Sequence, residues 1–80
     1  MNDDRLEYGV VSSPEREDLY AELMIDNMQW GEIAIDESSG TTTVKIFKAT
    51  PAERLEFKTD DLLDFLRAAN SRLKEVYGFD

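Results

Sequence analysis

The groups in this chain that can do chemistry are almost all carboxylates. Eighteen of its 80 residues are Asp or Glu, against nine Lys and Arg, and it has no histidine and no cysteine. The commonest general base and the commonest metal ligand are therefore missing, as are a thiolate metal site and a disulfide framework. Carboxylates, Lys45, Lys48 and hydroxyls remain. Glu22, Asp26, Glu32 and Asp36 are spaced to line one face of a sheet. A carboxylate pair there would suit acid/base work or a hard cation. The simpler reading is a solvated sheet face with Lys45 among the acids. On that reading no catalytic, cofactor-binding or metal-binding residue is assigned, and the chain is expected not to be an enzyme.

Two motifs fail on inspection. Asp26, Gly31 and Glu37 stand at positions 1, 6 and 12 of a calcium-loop spacing, but positions 3 and 5 are Met28 and Trp30, which offer no side-chain oxygen. The glycines are scattered singly, so no glycine-rich phosphate loop exists. Ser38 and Ser39 have no base nearby and read as turn residues.

These side chains must be positioned by a small set of elements. Leu19 to Asp26 alternates as a strand, with Leu19, Ala21, Leu23 and Ile25 on one face and Tyr20, Glu22, Met24 and Asp26 on the other. Asn27-Met28-Gln29 is the expected turn, Asn tolerating positive φ. A second strand, Trp30 to Glu37, places Gly31, Ile33 and Ile35 inward and Trp30, Glu32, Ala34 and Asp36 outward. Ser38-Ser39-Gly40 signals a hairpin. The third strand, Thr41 to Ala49, is rich in β-branched residues, with Val44 and Ile46 inward and Thr43, Lys45 and Phe47 outward. Pro51 breaks the pattern, and Leu55 to Lys58 offers a short fourth strand.

Thr59 to Tyr77 is predicted as a helix with Thr59 as N-cap and Asp60 and Asp61 in the first turn, where the helix dipole favours anions. Leu62, Leu66, Ala69, Leu73 and Val76 form its apolar stripe, flanked by Leu63, Phe65 and Tyr77. Gly78 suits the left-handed residue that ends many helices. The stripe must bury itself, and the inward sheet face is the large apolar partner available. The expected fold is α+β: an antiparallel three- to four-stranded meander with one C-terminal helix packed on one face. Residues 1–18, with six acids against two bases, read as an acidic, mobile N-terminal segment, although Leu6 to Val11 offers a short edge strand. Residues 19–80 read as the single domain.

The net charge of −9 repels nucleic acid and anionic membranes and attracts basic surfaces. Met1 to Arg5 lacks the start of a signal peptide, and no apolar run approaches the roughly 20 residues that span a membrane. A cytoplasmic location is expected. The outward face joins aromatic residues and methionine to acids, a mixture enriched at protein interfaces. Tyr20, Glu22, Met24, Trp30, Glu32, Asp36 and Phe47 are the candidate partner-binding residues.

The run Leu-Tyr-Ala-Glu-Leu, the later Trp-Gly-Glu-Ile and the helix start Thr59-Asp60-Asp61-Leu62-Leu63-Asp64-Phe65-Leu66 resemble the small acidic immunity proteins of bacterial polymorphic toxin systems. The resemblance spans Asp18 to Tyr77. It implies a one-to-one inhibitor of a cognate toxin domain and carries no functional residue over. Two other readings share part of the argument: a nucleic-acid mimic that inhibits a defence enzyme, and a structural or regulatory domain that dimerises through its sheet face.

Overall fold

The computed structural model describes residues 5–12, 15, 18–47 and 56–79. Four strands, β1 (Leu6–Ser12), β2 (Leu19–Ile25), β3 (Met28–Ile35) and β4 (Thr42–Ile46), precede one helix, α1 (Thr59–Tyr77). The strands form one antiparallel sheet in the order β1-β2-β3-β4, each beside its neighbour in sequence. This is the expected α+β meander. Its first strand lies within the stretch read as a mobile leader. Leu6–Ser12 pairs along its whole length with β2, from Leu6 opposite Ile25 to Ser12 opposite Leu19, so the edge-strand alternative is the one realised there. The proposed strand at Leu55 to Lys58 is not formed at residues 56–58; Leu55 lies outside the described residues.

The first turn falls one residue earlier than expected. Asp26 and Asn27 both have positive φ, 47° and 66°, the pairing that a type I′ two-residue hairpin turn requires. Ile25 therefore faces Met28, and Met24 faces Gln29. Continued without interruption, that phase would bury Met28 and Trp30 but turn Ile33 and Ile35 outward. A β-bulge resolves the conflict. Leu23 faces Gly31, which leaves Trp30 as the extra residue, and from Gly31 onward the opposite phase points inward. Trp30, predicted outward, is instead in the core at 7% exposure. Gly31 makes the bulge feasible, since a Cβ there would lie 2.6 Å from the Lys45 carbonyl oxygen.

The helix covers the sheet's inner face over β1, β2 and β3. Ala21, Leu23 and Ile25 from β2, Trp30, Ile33 and Ile35 from β3, and Phe65, Ala69 and Leu73 from α1 form the buried core. The Trp30 ring lies 5.8 Å from Phe57 and 6.3 Å from Phe65, and Tyr8 meets Phe65 edge-on at 5.8 Å. The helix is rotated from its predicted orientation. Phe65, placed at the flank of the stripe, is central, while Val76 is 40% exposed. The N-cap is Lys58 and not Thr59, with no side-chain hydrogen bond, and Asp60 and Asp61 supply the favourable first-turn charge.

The C-terminal end is as expected. Gly78 is left-handed at φ 82°. Its N–H donates to the Glu75 carbonyl at 3.1 Å, and the Phe79 N–H to the Lys74 carbonyl at 2.8 Å, closing a Schellman motif. This turns the Phe79 ring onto Gly40, where the space for a Cβ begins 3.0 Å from the ring. The Tyr77 hydroxyl ties the same helix end to β2: it accepts from the Leu19 N–H at 2.6 Å and donates to the Leu19 carbonyl at 3.0 Å.

Candidate functional site

One face of the sheet carries the helix; the other does not. Strand alternation and register place Glu7 and Val11 from β1, Tyr20, Glu22 and Met24 from β2, Gln29, Glu32 and Ala34 from β3, and Thr43 and Lys45 from β4 on this far face. Four of the seven candidate partner-binding residues, Tyr20, Glu22, Met24 and Glu32, meet there as the alternation predicted. Tyr20, Glu22 and Met24 are half-buried.

The central row runs Gly9, Glu22, Glu32, Lys45, each directly opposite the next. Two carboxylates opposite one another repel, and the neighbouring lysine offsets part of that. Glu32 is only 8% exposed, the one buried charged side chain among the described residues. Lys45 is the exposed charge of the row, and Glu22 is half-buried.

Of the other three candidates, only Trp30 leaves this face; Asp36 and Phe47 continue the alternation of Ala34 and Lys45 at its ends. Trp30 is the correction described above: the bulge turns it toward Phe57 and Phe65, and it offers no surface to a partner. Asp36 is exposed but committed to the β3–β4 turn. Its Oδ1 accepts from the Ser38 N–H at 2.9 Å and from the Ser38 hydroxyl at 2.7 Å. These bonds hold the Asp36 carboxyl below its ordinary 3.8, the Ser38 hydroxyl contributing most. Its main-chain carbonyl also accepts from Gly40 at 2.7 Å. Phe47 follows β4, is 42% exposed, and donates its N–H to the Trp30 carbonyl at 2.9 Å.

Glu7, Val11 and Gln29 join the far face unpredicted, because by sequence residues 1–18 read as a leader and Gln29 as part of a turn. The signal for Trp30 was present: a glycine inside a strand, beside a large apolar residue, marks a bulge. A second apolar surface also went unread. Val44 and Ile46, placed in the core by alternation, are 42% and 71% exposed, and Leu63 of α1 is 43% exposed, because the helix stops short of β4.

Among the described residues no three acids come together as metal ligands would. No helix among them is long and apolar enough to cross a membrane. Among the described residues, fold and surface define an α+β protein with one sheet face covered by the helix and an acid-bearing far face on the other side. Comparison of the chain with protein-family models, curated protein sequences and solved structures gives no match.

Proposed function

We propose that this chain is a non-enzymatic, acidic binding module that docks on a basic surface of another protein, as an inhibitor or immunity-type protein does. The observation that carries the reading is the one-sided sheet. A single helix covers the inner face, and the far face presents Tyr20 and Met24 beside Glu7 and Glu22. With a net charge of −9, such a face draws a cationic surface in and then offers it apolar anchors. Tyr20 and Met24 are the anchors in this reading, and Trp30 is not.

A nucleic-acid mimic needs acids at phosphate-like spacing along an open surface. The central row has a buried Glu32 and ends on Lys45, which supports docking on a protein over mimicry. The test is a pull-down from the source organism with wild-type and Tyr20→Lys/Met24→Lys baits, followed by association kinetics with the protein captured. The expected association rate falls about tenfold between roughly 50 and 300 mM salt. The double variant is expected to lose the complex while keeping its fold. A rate indifferent to salt, or a double variant that binds as the wild type does, counts against the reading.

A further inference from the structure

The outer edge of β4 fits one partner in one register. β4 is the last strand of the sheet, and among the described residues nothing pairs with its outer edge. The Phe47 N–H donates to the Trp30 carbonyl, and the Thr41 carbonyl accepts from the Asp36 N–H. With the register between them, residues 41, 43, 45 and 47 direct their backbone groups to β3. Thr42, Val44 and Ile46 direct theirs outward. The same three carry their side chains on the helix side, opposite Ile35, Ile33 and Gly31.

That side is open. A groove between β4 and α1 is lined by Val44, Leu63, Leu66, Arg67 and Asn70 among others, and the Asn70 Oδ1 is buried there with no hydrogen-bond partner among the described residues. The stretch Ser38 to Phe47 contains no acid, and its one charge is Lys45. In a chain of net charge −9, this edge is where two copies meet with least repulsion.

We infer that the protein forms a homodimer in which two β4 strands pair antiparallel about a two-fold axis at Val44, joining two four-stranded sheets into one. Val44 faces Val44 of the second copy, Thr42 faces Ile46, and Thr43 faces Lys45. Every outward N–H and C=O of Thr42, Val44 and Ile46 then has a partner, and the exposed apolar side chains of both copies share one side. Other registers fail on simple grounds. A one-residue slip sets helix-side residues against far-face ones. An axis at Thr43 faces Ile46 with Gly40 of the turn, and an axis at Lys45 sets two lysines directly opposite. A five-residue pairing is small for a protein interface, so the dissociation constant is expected on the order of tens of micromolar. This inference uses the sheet's edge and stands apart from docking through its far face.

The test is amide hydrogen exchange by NMR at about 20 μM and about 1 mM, with sedimentation equilibrium over the same range. Exchange at Thr42, Val44 and Ile46 is expected to slow several-fold as concentration rises, while Thr43 and Lys45 stay protected throughout. Val44→Pro removes a central N–H that β3 does not use, so the fold should persist and dimerisation weaken about tenfold or more. Ile46→Lys is the second variant, placing like charges near the interface without touching the ladder. A monomer at 1 mM with fast exchange at all three edge amides overturns the inference. So does protection at those amides that ignores concentration, since the edge would then be covered within one copy. A dimer that survives both β4 variants but is broken by Tyr20→Lys would place the contact on the far face and overturn it as well.

Discussion

Trp30 is the only tryptophan of the chain, and its surroundings settle what substitution there reports. The indole packs on Phe57 and Phe65, and its Nε1 is buried with no hydrogen-bond partner among the described residues. Trp30→Ala is expected to cost about 3–5 kcal/mol in urea unfolding through lost packing and a cavity. Trp30→Phe should cost far less, because it keeps an aromatic body and removes an unsatisfied N–H. Emission should be blue-shifted and poorly quenched by acrylamide in the folded state only. Tyr77 offers a second measurement. Burial holds its phenol above the ordinary 10.0; the Leu19 backbone hydrogen bond pulls the other way, and the charge of Glu37 and Asp18 adds to the rise. A raised acid means that the neutral form belongs to the fold. The contribution is complete below about pH 10 and is lost as pH rises through the higher folded value. Tyr77→Phe should lower stability by roughly 1–2 kcal/mol at neutral pH by orphaning the Leu19 backbone groups, and should lose the tyrosine's share of the alkaline decline.

At the scale of elements, α1 and β3 each depart from simple periodicity for a packing reason. The helix presents Phe65, Ala69 and Leu73 to the sheet, a spacing of four that follows one ridge. Its rotation brings Phe65 to the Trp30 and Tyr8 rings and lifts Val76 out. Leu73→Ala should therefore cost about 2–5 kcal/mol, while Val76→Ala should stay within about 0.5 kcal/mol. Equal losses at the two positions would mean that the stripe is centred as its periodicity suggests. In β3, Trp30 and Ile33 belong to opposite alternation phases, and both are buried because the bulge at Gly31 changes phase between them. The strand thus serves two demands, the tight Asp26-Asn27 turn and the apolar set beyond it.

For the whole molecule, the charge gives opposite signs to the two proposed contacts. Docking on a basic partner through the far face is steered by attraction, so salt should slow it. Pairing of two β4 edges brings together two bodies of like net charge, so salt should strengthen it by screening their repulsion. Titrating sodium chloride from about 50 to 500 mM in sedimentation equilibrium and in partner kinetics reads both signs. The architecture separates the two surfaces. The helix lies on the side of the sheet away from the far face and stops short of the apolar strip of β4.

Much of this was legible along the chain. The helix from Thr59 to Tyr77, the Gly78 terminus, the inward set of β2 and the acidic balance follow from local periodicity, backbone preference and composition, which need no distant residue. The candidate far-face residues Tyr20, Glu22, Met24 and Glu32 were legible for the same reason, since alternation in a strand is local. What depended on tertiary structure was how neighbouring phases were reconciled. A bulge is set by the partner strand and the turn together, so Gly31 marks its place in the sequence while the pairing with β2 decides that Trp30 turns inward. The extent of helix cover is set by where α1 lands on the sheet, so Val44 and Ile46 carry core-like spacing and remain exposed. Asp36 is a surface acid, as its sequence position suggests, and the folded turn adds the Ser38 bonds that hold its carboxylate. Sequence determined the local periodicity and the charge of the elements; the packing of one helix on four strands decided which apolar residues are core and which stay exposed.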